Sequence, residues 1–164
     1  MSTKNLVLIS VLSVIVFVLE QALIFLPNIT LTVFLMILYS KCLNIKNNLW
    51  IIFIYVMLDN LFMGTMNLIF LIFIYLGWSI IPITLNTIFK NINSSITLAC
   101  LSLLYSLLYC LSYVIPTVLI YHIDPVVYLM NDVVFEIILM ISSFVSVLWL
   151  YEPCCKVLKR YVTD

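Results

Sequence analysis

The sequence predicts an all-α membrane protein, a single domain over residues 1–164 built as a bundle of six transmembrane helices with both termini cytoplasmic. Three observations predict it. Of the 164 residues, 66% are apolar and only 9% are charged, against roughly half and a quarter in an average soluble domain. Mean hydropathy is +1.29. Polar and proline residues cut the apolar length into segments approaching the roughly 20 residues that cross about 30 Å of hydrocarbon. The same composition excludes a soluble globular domain, a disordered chain and a collagen-like repeat. Two glycines leave no phosphate cradle, and zero net charge leaves no basic tail for nucleic acid. One histidine and five scattered cysteines predict no metal site, and no cofactor is expected.

The first span covers 6–26 and stops at Pro27 and Asn28. The second covers 30–42 and ends in the polar run 41–48; it is short. The third covers 49–63 and is closed by Gly64. The fourth, 67–89, contains Pro82, and a polar loop at 90–95 follows it. The fifth, 96–120, has Pro116 near its end, and a turn at 121–125 leads to the sixth, 126–151. Proline inside a span is tolerated where neighbours satisfy the freed carbonyl. No segment alternates at period two, which argues against strand spans. Residues 1–4 and the long apolar run after them lack a small-x-small cleavage site, so the first span is expected to stay.

Charge placement chooses six spans over four or five. With six, Lys4, Lys41, Lys46, Lys90, Lys156, Lys159 and Arg160, every basic residue of the chain, fall on one side. The positive-inside rule makes that side cytoplasmic. The opposite side holds Glu20, Asp59, Asp124 and Asp132 and no Lys or Arg.

A charged group inside a span costs about 2.5–3.5 kcal/mol on insertion scales and is a functional candidate by default. Asp132 and Glu136 are four apart on the sixth span and share one helix face. Tyr128 and Ser143 extend that polar stripe. The plain alternative is a packing face bonded to other helices. Asp59 and Asn60 interrupt the third span near its outer end, and Asn67 follows the turn at Gly64. They are read either as a ligand or gating group or as an interfacial loop met by water. Glu20 is read as a carboxylate reaching outward to water. Pro27, Asn28, Ile29 and Thr30 link the first two spans with turn-forming residues, as a structured lid or as a simple connection. Trp50, Trp78, Trp149 and the many Tyr and Phe are read mainly as belt or packing residues, with an aromatic pocket lined by some of the Tyr and Phe as the alternative. His122, beside Asp124, is read as solvated. Cys42, Cys100, Cys110, Cys154 and Cys155 show no ligand spacing.

Four stretches resemble the substrate-binding S-component of energy-coupling-factor (ECF) vitamin transporters. They are "LPNITLT" at 26–32, "YVMLDNLFMGTMN" at 55–67 followed by "YLGW" at 75–78, "NDVVFEIILMISS" at 131–143, and "LYEPCCKVLKRY" at 150–161. The resemblance implies a six-helix bundle with a substrate pocket in its outer half, capped by the loop between the first two helices. It implies capture of a vitamin or similar micronutrient, and docking on a membrane coupling subunit that carries two ATPase subunits. It places Asn28 and Thr30 in the lid, Asp59, Asn60 and Asn67 at the outer end of the middle spans, and Asp132 and Glu136 on the last span. Many family members carry Ala-x-x-x-Ala on the first span, where this chain has Ser10 and Ser13. Where relatives often read Ser-Asn late in the last span, it has Ser142 and Ser143.

With no Lys or Arg in the outer half, a pocket there offers no side-chain cation to a carboxylate or phosphate. A neutral or cationic substrate is therefore favoured. No ATP-binding motif is present, so energy for transport must come from partner subunits. The resemblance places the chain in a bacterial plasma membrane. Two other readings compete. MreD-type rod-shape scaffolds have similar length and a mid-span acid, but glycine-rich surroundings for it; here Asp59 sits in "VMLDNLFMG". An intramembrane hydrolase would pair carboxylates such as Asp59 and Asp132. The Asn/Gly-rich motifs of signal peptidase II are not visible, so no enzyme activity is expected.

Overall fold

The computed structural model describes residues 3–64 and 66–163, so the first two positions of the N-terminal segment lie outside it. These residues form six α-helices and, among them, no strand. Four helices are long and apolar enough to cross a membrane: α1 (Thr3–Ala22), α4 (Leu68–Asn86), α5 (Ser95–Tyr121) and α6 (Pro125–Thr163). Between them lie α2 (Thr32–Cys42) and α3 (Ile45–Met63).

The boundaries follow local chemistry. α1 stops at Ala22 rather than 26, because the chain tightens into turns: Leu23 N–H donates to Glu20 O and Leu26 N–H to Leu23 O, at 3.1 and 2.8 Å. Pro27 disfavours a helical residue before it. Asn28 follows in the left-handed region with φ 56°, which Asn tolerates. α3 starts at Ile45, ahead of 49. Asn48 makes this early start possible, since its Nδ2 donates to the carbonyls of Tyr39, Leu43 and Asn44 at 3.2–3.3 Å and ties the α2–α3 turn together. Gly64 ends α3 with φ 69°, the left-handed cap for which glycine carries no side-chain penalty. Asn67 caps α4 by accepting from Ile69 N–H at 3.0 Å. α4 ends at Asn86 rather than 89. There the Lys41 ammonium donates to the carbonyls of Phe89, Lys90 and Leu85 at 2.8, 3.3 and 3.5 Å, a cation on a helix C-terminus. Asp124 Oδ1 accepts from Val126 N–H at 2.7 Å, and Pro125 occupies the first helical position it favours. α6 runs on to Thr163 instead of stopping at 151, passing through Pro153. Its 39 residues span about 58 Å.

α2 is the axis of the bundle. Its eleven residues rise only about 16 Å, and Thr32 through Ser40 are all buried. A helix apolar all round belongs in an interior. Among the described residues α2 touches all five other helices, while α1, α3, α4, α5 and α6 pack in that order as an arc around it. The arc is open between α6 and α1, which share no contact. Small polar residues let the helices approach closely. Ser106 Oγ meets Ser143 Oγ at 3.1 Å between α5 and α6, and Thr84 Oγ1 meets Tyr105 OH at 2.8 Å between α4 and α5. Gly77 lies so close to α5 that a Cβ there would meet Ser112 Oγ at 2.6 Å.

Successive helices run up and down, and this gathers the basic residues. Lys4 on α1 lines one groove with Cys42 on α2 and Tyr161 on α6. Cys42 Sγ is 3.4 Å from Cys155 Sγ, and Lys41 reaches the α4 end at Lys90. Lys46 opens α3 just after the α2 turn, and Lys156, Lys159 and Arg160 end α6. All seven thus sit at one end of the bundle. Elsewhere the outer surface is apolar: Val7, Val11, Val18, Leu68, Ile96, Leu119, Val134 and Trp149, among others, are exposed, far more than a water-soluble surface tolerates.

Candidate functional site

The opposite end holds a cavity of about 900 Å³. Its walls come from α1, α3, α4 and α5, the 23–30 link closes one side, and Leu139 is the contribution of α6. The link is pinned to α6 by a reciprocal pair: Thr30 N–H donates to Ser142 Oγ at 3.2 Å, and Ser142 Oγ donates to Thr30 O at 3.1 Å. Thr30 Oγ1 accepts from Thr32 N–H at 3.0 Å, a side-chain turn that meets the first amide of α2.

Two carboxylates face the cavity, and no Lys or Arg is among its lining residues. Asp59 Oδ1 accepts from Gln21 Nε2 at 2.9 Å. Glu20 Oε2 accepts from the Tyr55 hydroxyl and, at 3.2 Å, from Thr32 Oγ1. Glu20 therefore does not reach outward to water; it holds α1, α2 and α3 together at the wall. Gln21 Oε1 is buried without a partner among the described residues, an unused acceptor on that wall.

Aromatic rings form the remaining side. Tyr109, Tyr113, Tyr121 and Phe70 line the cavity. Tyr109 OH donates to Tyr113 OH at 3.0 Å. Phe70 lies 6.3 Å from Tyr113 and 6.2 Å from Tyr121, centroid to centroid. Behind them Trp78 stacks on Tyr109 at 4.0 Å and meets Tyr55 at 6.3 Å. Trp78 Nε1 is buried and has no acceptor among the described residues.

Of the residues singled out from sequence, Asn28, Thr30, Asp59, Asn60 and Asn67 come together on this cavity. Asn60 Nδ2 donates to Val56 O at 2.9 Å within its own helix, and Asn67 Oδ1 is engaged as the α4 cap. Tyr128, Asp132 and Glu136 are not among the lining residues. The polar face of α6 turns instead toward α5, where Asp132 Oδ2 lies 3.4 Å from Cys110 Sγ. Helical spacing established that Asp132 and Glu136 share a face, but not which neighbour that face meets. Sequence reasoning passed over Gln21 and did not single out which tyrosines line the cavity. Tyr109 and Tyr113 share a face by their spacing of four, but nothing local separates them from tyrosines that face lipid.

No protein-family model matches the chain, and neither a curated protein nor a solved structure matches it.

Proposed function

We propose that the chain is the substrate-binding membrane subunit of an ECF-type importer, capturing a vitamin or related micronutrient from outside a bacterial plasma membrane. The observation that carries this reading is the cavity walled by Glu20, Asp59 and four aromatic rings. Its volume falls in the range of small-molecule sites, about 300–1,000 Å³, and a few converging polar groups on an aromatic wall are what such sites use. Two carboxylates without a side-chain cation favour a cationic or neutral, donor-rich ligand over a polyanion. The tyrosine faces add attraction for a cation.

Under this reading all six helices belong to the membrane domain, and α2 traverses it together with the 23–31 link. The end carrying all seven basic residues is cytoplasmic by the positive-inside rule. Both termini lie there and the cavity opens outward. Binding is the chain's own task. Energy is supplied by a coupling membrane subunit and two ATPase subunits, and no catalytic residue is assigned.

The test is native mass spectrometry of the protein purified in mild detergent from its own cells, with bound small molecules extracted and identified. A stoichiometric vitamin-sized ligand, lost in Asp59→Asn and in Asn28→Ala, supports the proposal. A protein that arrives empty, ignores a vitamin panel and copurifies with cell-wall proteins rather than ATPase subunits sinks it in favour of an MreD-like scaffold.

A further inference from the structure

We propose that Cys110 on α5 and Asp132 and Glu136 on α6 form a three-ligand site for a zinc-class divalent metal ion, separate from the solute cavity. One ligand atom from each residue lies within 4.8 Å of the other two. None of the three residues lines the cavity. Asp132 and Glu136 stand one turn apart on α6, so a single helix face offers both carboxylates to the thiol across the interface.

The sulfur–oxygen edge between Cys110 and Asp132 suits a small tetrahedral ion. Metal–sulfur bonds near 2.3 Å and metal–oxygen bonds near 2.0 Å place sulfur and oxygen about 3.5 Å apart along a tetrahedral edge. Cys110 Sγ and Asp132 Oδ2 are 3.4 Å apart.

A second observation points to a ligand. Glu136 is only 7% exposed and Cys110 9%, yet Glu136 Oε1 is buried without a hydrogen-bond partner among the described residues. With both carboxyls ionised the thiol's one proton is the only one the three side chains share, so they cannot satisfy one another's oxygens by hydrogen bonds alone. An unmet buried oxygen is costly, and a cation between the three groups meets it. No side-chain cation is at hand, since every Lys and Arg sits at the other end of the bundle.

The donor set selects the metal class. Mg²⁺ and Ca²⁺ take oxygen ligands, whereas a thiolate with carboxylates suits Zn²⁺ and its neighbours. Coordination requires the thiolate, so binding releases the Cys110 proton to solvent. Three protein ligands leave a fourth position open to water, on the side where Asp132 is half-exposed.

The test uses the full chain in lipid nanodiscs, stripped with chelator and loaded with Zn²⁺ or Co²⁺ alone. One zinc per chain is expected to survive desalting. Co²⁺ is expected to give the near-ultraviolet thiolate-to-metal charge-transfer band. Losing a hydrogen-bond partner of a metal ligand already weakens metal sites 10–100-fold, so Asp132→Asn and Glu136→Gln, which alter ligands themselves, should each weaken zinc binding about tenfold or more. Cys110→Ser should abolish the cobalt band, while Cys42→Ser with Cys155→Ser leaves it intact. Monodisperse elution and unchanged helical circular dichroism establish that each variant is folded. The proposal fails if the stripped chain takes up no zinc. It fails equally if the cobalt band persists in Cys110→Ser or disappears with Cys42 and Cys155.

Discussion

The hydroxyl of Tyr55 on α3 donates a hydrogen bond to the carboxylate of Glu20 on α1, thirty-five residues away in sequence. Tyr55 is 2% exposed, so water cannot take the place of the carboxylate at its hydroxyl. Tyr55→Phe is expected to cost about 1–3 kcal/mol, the penalty of stranding a buried polar group. In a double-mutant cycle with Glu20→Gln, thermal unfolding in mild detergent should give a coupling of about 0.5–3 kcal/mol. Strictly additive losses would show that the contact contributes nothing.

The link between α1 and α2 depends on one hydroxyl. Ser142 Oγ serves both the N–H and the carbonyl of Thr30. Ser142→Ala leaves two backbone groups unmet and should lower stability by about 1–3 kcal/mol. Limited proteolysis should then cut first within 23–31. An unchanged cleavage pattern would mean that Pro27 and Asn28 hold the link without Ser142.

Gly77 has the opposite sensitivity, to added volume. A Cβ there would fall 2.7 Å from Ser112 Cβ, so α4 and α5 must separate. Gly77→Ala should cost about 1–3 kcal/mol, as overpacked cores do. Adding Ser112→Gly should restore most of that loss, because it removes the atoms in the way. Failure of this rescue would place the strain elsewhere.

Lys41 acts at the basic end. Its ammonium holds three carbonyls where α4 finishes. Lys41→Met keeps the aliphatic stem and removes the charge. The expected loss is about 1–2 kcal/mol, with amide exchange accelerating first around 86–92. Uniform acceleration across the chain would instead assign Lys41 a global role.

The helices were legible in the sequence where a residue type dictates backbone geometry. Pro27, Gly64, Asn67 and Pro125 each mark a boundary that the structure keeps within a few residues. The far end of α6 was not legible in this way. Lys156, Lys159 and Arg160 end the apolar count, but they are good helix formers, and the helix continues past Pro153. Partnership across helices was hidden for a different reason. Glu20 finds Tyr55 and Asp132 finds Cys110 only once the bundle closes, and helical spacing carries no information about which neighbour a face meets. The charge sorting was visible because it is a property of order along the chain. Lys4 through Arg160 fall at alternate helix ends, and the up-and-down packing turns that order into one basic end.

The central position of α2 divides the chain between two solvents. On the membrane reading proposed above, lipid meets the arc of α1, α3, α4, α5 and α6, whose outward side chains need only be apolar and can change size at little cost. α2 is solvated by protein alone, with Val33 and Ile37 fully enclosed, so there shape matters more than hydropathy. A polar residue placed on the arc would be judged by the bilayer, and a mis-sized one on α2 by its five neighbours. The shortest helix is therefore the part of the sequence with the least freedom to vary in volume, although a scale of apolar length ranks it the weakest.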